Sequence, residues 1–138
     1  MFSSACDSLE DDMTSTTPLK VMLVEDHAAF RQALAFVLSR DPDLEVVAQV
    51  GSLAETRQAL IDERLDVAVL DLGLPDGDGR ELFGELRRSN PGISVVVLSA
   101  TIEAGRTEEL LRAGADAVLD KVEAYSAIAE EVKRVAGG

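Results

Sequence analysis

Four short apolar runs in this 138-residue chain each end on a side chain that could do chemistry. Val67 to Leu70 delivers Asp71 and breaks at once into Leu-Gly-Leu-Pro-Asp-Gly-Asp-Gly79. Leu19 to Val24 delivers Glu25 and Asp26, Ile93 to Leu98 delivers Ser99, and Ala117 to Leu119 delivers Asp120 and Lys121. A carboxylate at the carboxyl end of a buried strand stands where open α/β sheets bind ligands; the other reading of Asp71 is an Asp that caps a turn. If Glu25 and Asp26 emerge beside Asp71, three carboxylates share one mouth and repel each other unless a cation joins them. A hard divalent ion with oxygen ligands relieves that repulsion, and Mg²⁺ suits an open site with few protein ligands. Capping of the next helix would explain Asp26, but not two acids plus Asp71. Ser99 is either a hydroxyl donor or a strand terminator. Lys121 is either a solvated surface lysine or a flexible point charge that reaches back. A carboxylate nucleophile, a divalent cation, a hydroxyl and an ammonium are the parts that phosphoryl transfer to an aspartate requires.

No other constellation competes. His27 is the single histidine, which excludes a Ser-His-Asp set and a His-based metal cluster. There is no phosphate-binding P-loop and no GxGxxG.

These side chains meet only if the elements carrying them do. The all-apolar run before Asp71 reads as a strand covered on both faces, as in a parallel sheet. Strands are expected at 19–24, 45–50, 67–72, 93–98 and 117–119. Between them lie helical patterns: Asp26 to Ser39 with Phe30, Leu34, Val37 and Leu38 on one face; a helix from the capping box Ser52-Leu-Ala-Glu55 to about Arg64; Arg80 to Arg88 with Leu82, Phe83 and Leu86 inward; Glu103 to Ala113, the least marked, stopped by Gly114; and a last helix marked by Tyr125, Ile128, Ala129, Val132, Val135 and Ala136. Strict alternation implies right-handed βαβ units with helices on both faces, and five strands suggest the doubly wound order 2-1-3-4-5. That order sets strands one and three ~4.8 Å apart, with Glu25 and Asp26 beside Asp71. It leaves Lys121 two strands away, roughly 10 Å, a distance only a long side chain crosses.

The bulk properties narrow the function classes. The length is that of one domain. The formal charge of −13 argues against a nucleic-acid surface and against electrostatic binding to anionic membranes. One cysteine, Cys6, allows no internal disulfide. No apolar run approaches the ~20 residues that span a bilayer, and the start of the chain lacks the pattern of a secretory signal. Residues 1–17, rich in Ser, Thr and Asp, are expected to form a disordered acidic leader before a body at 18–138.

The pieces Val-Glu-Asp26, Asp71-Leu-Gly-Leu-Pro-Asp-Gly-Asp-Gly79, Leu-Ser-Ala100 and Gly114-Ala-Asp-Ala-Val-Leu-Asp-Lys121, in this order and spacing, resemble the receiver (CheY-like) domain of two-component response regulators. The wording around Glu25-Asp26-His27 and after Lys121 is most similar to receivers of the LuxR/NarL-like class. The resemblance implies a flavodoxin-like fold, a phosphoacceptor at Asp71, and Mg²⁺ held by Glu25, Asp26, Asp71 and the backbone carbonyl of Gly73. It further implies that Ser99 and Lys121 contact the phosphoryl group, with a sensor histidine kinase, a phosphotransfer protein or a small phosphodonor as source. It points to a cytoplasmic signalling module that acts through protein–protein contacts, including dimerisation, and catalyses only its own phosphorylation and dephosphorylation. Two rivals stay open: a small Mg²⁺-dependent phosphatase with an Asp nucleophile, which would carry a second acid where Gly73 stands, and a degenerate receiver that only binds partners. Three departures from the family pattern are Val118 at a position usually aromatic, Val122 after the lysine with no Ser or Asp cap for the last helix, and no output domain after that helix, as in a stand-alone receiver or one cut at a linker.

Overall fold

The computed structural model describes residues 17–100 and 106–137. Residues 1–16, most of the expected leader, and the first part of the helix expected from Glu103 lie outside them. Five parallel strands, β1 (Leu19–Val24), β2 (Leu44–Val50), β3 (Val67–Asp71), β4 (Ser94–Ser99) and β5 (Ala117–Asp120), form one sheet in the order β2-β1-β3-β4-β5. Five helices, α1 (Ala28–Ser39), α2 (Leu53–Asp62), α3 (Leu82–Ser89), α4 (Arg106–Ala113) and α5 (Lys121–Gly137), connect or follow them. This is the expected doubly wound arrangement. Its cause is visible in the strands, whose alternate residues feed two different cores.

On one face Met22, Val24, Ala68, Leu70, Val95 and Val97 pack with Leu53, Leu82, Phe83, Leu86 and Leu110 from α2, α3 and α4. On the other, Val21, Leu23, Val67, Val69, Val96 and Leu98 pack with Leu34, Leu38, Ala124, Ile128 and Val132 from α1 and α5. Parallel registry then brings the strand ends level. Val24 pairs with Leu70, Asp71 with Leu98, and Ser99 with Asp120.

Several boundaries differ from those read in the sequence. Helix α1 starts at Ala28 with His27 at the N-cap, so Asp26 does not cap it. Ser52 caps α2 through Glu55 N–H at 3.1 Å, but Glu55 reaches back to Gly51 N–H at 2.7 Å and the box does not close on Ser52. The loop after β3 folds into a two-stranded antiparallel hairpin, Gly73–Leu74 with Gly77–Asp78, too short to leave a hydrophobic signature. A 3₁₀ turn at Gly79–Glu81 precedes α3 and carries the capping box of the region, Asp78 with Glu81. Helix α5 begins at once with Lys121, and Asp120 supplies the missing cap by accepting the Val122 N–H at 2.8 Å. Its inward stripe runs through Ala124, while Tyr125 is exposed. Gly114 closes α4 at φ +130°, a conformation that disfavours any side chain.

Candidate functional site

The carboxyl ends of β1, β3, β4 and β5 share one rim of the sheet. Glu25 prolongs β1, its N–H bonded to Val50 O at 2.9 Å and its own carbonyl accepting Arg31 Nη1 at 2.7 Å. With its backbone held at both ends, its side chain turns inward and is almost fully buried. Oε2 accepts the His27 N–H at 3.0 Å. Oε1 lies 2.9 Å from Lys121 Nζ, yet off the line of a hydrogen bond, so it is a buried oxygen held by charge alone among the described residues. Burial pushes the Glu25 pKa up, and Asp71 adds to that, while Lys121 and the His27 N–H oppose it.

Asp71 is the last residue of β3. Its Oδ2 accepts Lys121 Nζ at 3.0 Å and its Oδ1 accepts the Gly73 N–H at 3.2 Å. The lysine thus crosses the width of β4 and bridges Glu25 and Asp71. Burial alone would lower its pKa, but the contacts with Glu25 and Asp71 outweigh it and the pKa ends up raised. The side chain also passes over the Phe30 ring, with Nζ 5.2 Å from the centroid, and Phe30 meets Tyr125 edge-on at 5.3 Å. Phe30 thus flanks the path of the lysine, and Tyr125 packs against Phe30. The sequence reading assigned both to helix faces and gave them no such role.

Asp26 is exposed, and one oxygen from each of Glu25, Asp26 and Asp71 lies within 4.8 Å of the others. A buried carboxylate oxygen with no hydrogen bond, next to two further carboxylates, is the donor set a hard divalent cation takes. The trio fits Mg²⁺ on chemical grounds. Gly73, the fourth expected ligand through its carbonyl, sits exposed at the start of the hairpin beside Asp71. Ser99 ends β4, half-buried, and lines an open depression of about 270 Å³ together with Asp71, Gly73 and Arg106.

The loop that frames Asp71 is tightly specified. A Cβ at Gly79 would stand 2.7 Å from the Asp71 carbonyl oxygen, and the Gly79 N–H bonds Leu72 O at 2.8 Å. Only glycine permits that approach. Asp76 spans to α2 and accepts the Leu53 and Ala54 N–H groups at 2.7 and 3.0 Å. Those bonds hold its pKa low, the Leu53 bond first. Asp76 and Arg106 are the residues that sequence reasoning passed over. Asp76 acts on a helix 23 residues earlier, and no local pattern marks such a pairing. Arg106 was legible only as a cation in the least marked helix.

Comparison with known proteins shows the family. The response regulator receiver domain family matches residues 21–133. The chain is 37% identical over 120 residues to the DNA-binding transcriptional activator DevR/DosR of Mycobacterium tuberculosis, covering 87% of this chain and 55% of that protein. It is 35% identical to the transcriptional regulatory protein UhpA of Salmonella typhimurium, covering 75% and 51%. It spans about half the length of these relatives. Among solved structures, the signal receiver domain of the response regulator NarL from Mycobacterium tuberculosis superposes with a TM-score of 0.80 at 26% identity, covering 89% of this chain and 99% of that one. The chain belongs to the response regulator receiver domain family of two-component signalling, with regulators of the LuxR/NarL-like class among its relatives.

Proposed function

We propose that Asp71 is the phosphoacceptor of this receiver. The observation that carries the reading is the bridge from Lys121 Nζ to Glu25 at 2.9 Å and Asp71 at 3.0 Å, built by three elements far apart in sequence. Glu25, Asp26, Asp71 and the Gly73 carbonyl would hold Mg²⁺, which when bound neutralises charge on the transferring phosphoryl group. An Asp71 carboxylate oxygen attacks phosphorus as the donor's P–N bond breaks. The electron pair leaves on the imidazole nitrogen of a phosphohistidine, which takes a proton from solvent. Lys121 offers an ammonium to the phosphoryl oxygens, and Ser99 offers a hydroxyl from the facing wall. The donor is a sensor histidine kinase, a phosphotransfer protein or a small phosphodonor, and the chain catalyses only its own phosphorylation and dephosphorylation.

The product carries new charge and acceptor oxygens at the rim, which bias a two-state surface read by protein partners, a second copy of the chain included. In this reading residues 18–138 work as one receiver in the cytoplasm. No helix among the described residues is long and apolar enough to cross a membrane. The test is labelling with a small phosphodonor and Mg²⁺: one phosphoryl group taken per chain supports the receiver, whereas steady turnover of the donor without retained label supports the phosphatase alternative.

A further inference from the structure

Lys121 is already engaged by two carboxylates before any phosphoryl group arrives. An aspartyl phosphate brings roughly −1.5 to −2 of charge into a rim that holds three acids. The depression in front of Asp71 and Ser99 shows where a further cation stands. Among the described residues, Arg106 is the one cation that lines it. Its Nε is buried and has no hydrogen-bond partner among the described residues. The guanidinium is also near enough to the loop after β3 to help hold the Asp78 pKa low, behind the larger effect of Arg80. A guanidinium presents a planar fork of donors that matches phosphoryl oxygens. Facing a cavity bounded by the proposed acceptor Asp71 and a hydroxyl, a buried Nε donor with no acceptor among the described residues has an anion as its natural partner.

We propose that Arg106 is a second phosphoryl-binding cation of this site, contacting the phosphoryl group on Asp71 from the depression that it lines with Asp71 and Ser99 and so coupling phosphorylation to α4. The inference rests on the phosphoacceptor reading of Asp71. The coupling follows from how weakly α4 is otherwise tied down. Arg106 is its first residue, and Leu110 is its one buried side chain among the described residues. An element held by so few buried contacts responds to a single charge-assisted bond at its start.

The test uses the full chain, Mg²⁺ and beryllofluoride, which caps a carboxylate as a phosphoryl mimic, read by two-dimensional NMR for the wild type, Arg106→Ala and Arg106→Lys. In the wild type the mimic shifts the Arg106 Nε–H signal and the amides of 106–113. In Arg106→Ala the mimic binds ~10-fold more weakly and the α4 shifts vanish, while those at Asp71 and Gly73 persist. Arg106→Lys falls between. Mg²⁺ affinity without the mimic is the same in all three, which separates a phosphoryl contact from a metal or folding effect. Equal affinity for the mimic and equal α4 shifts in Arg106→Ala would overturn the inference and leave the Asp71 reading intact. A wild type that does not respond to the mimic at all would remove both.

Discussion

Lys121 Nζ sits 3.0 Å from Asp71 Oδ2 although β4 separates the strands that carry them. The ammonium reaches across because α5 starts at Lys121 itself, and because Phe30 lies beneath its path. It is a counter-charge for the buried Glu25, 2.9 Å from Oε1.

Removing that ammonium is therefore a stability experiment as well as a functional one. Lys121→Met leaves Glu25 Oε1 facing Asp71 with nothing between them. The expected loss is about 1–3 kcal/mol at pH 7, typical of a buried charged partner left unsatisfied. Urea denaturation measures it, and added Mg²⁺ should recover part of the loss. An unchanged midpoint would mean the bridge does not hold in solution.

Asp26 should behave differently. Its side chain is exposed and does not cap α1, so Asp26→Asn is expected to leave thermal stability as it was. Mg²⁺ binding, followed by calorimetry, should weaken about tenfold or more, corresponding to about 1.4 kcal/mol, because one of three charged oxygens is lost.

The close approach at Gly79 makes a third case. Gly79→Ala must move either its own backbone or the Asp71 carbonyl 2.7 Å away. Overpacking of this kind costs about 1–3 kcal/mol. Denaturation should show that loss, and phosphoryl uptake at saturating Mg²⁺ should fall with it if Asp71, whose carbonyl is displaced, is the proposed acceptor.

A pH dependence follows from Asp76. Its pKa is lowered in the folded state, so its contribution to stability is present above the ordinary carboxylate value and is lost as pH falls through the folded value. Asp76→Asn removes that group from the titration. The difference in denaturation midpoint between wild type and Asp76→Asn is expected to shrink as the pH is lowered from 7 to below about 3.9. A difference that grows on acidification would contradict the bonds from Asp76 to the Leu53 and Ala54 N–H groups.

The order of the sheet and both cores were legible because each buried strand is a run of β-branched and aliphatic residues bounded by breakers, and alternation leaves few topologies. Once that order is assumed, Glu25, Asp26, Asp71 and Ser99 fall on one rim without further information. The reach of Lys121 was legible as a length argument. What the sequence withheld were interactions between distant residues with no periodic trace. Asp76 looks like one more turn acid until its two bonds to α2 are seen. Asp26 precedes an apolar helix and so resembles an N-cap, yet His27 takes that place and its N–H is bonded to Glu25 Oε2. Tyr125 fits the inward stripe of α5 by spacing, but the helix is rotated so that Ala124 enters the core and Tyr125 meets Phe30 at the surface.

The most direct measurement is the identity of the residue that carries phosphorus. The chain is incubated with a small phosphodonor and Mg²⁺, reduced with borohydride to convert an aspartyl phosphate to homoserine, digested and sequenced by mass spectrometry. Conversion at position 71, absent without Mg²⁺ and absent in Asp71→Asn, is the expected result. Conversion at any other acid, or label that survives in Asp71→Asn, would contradict the account.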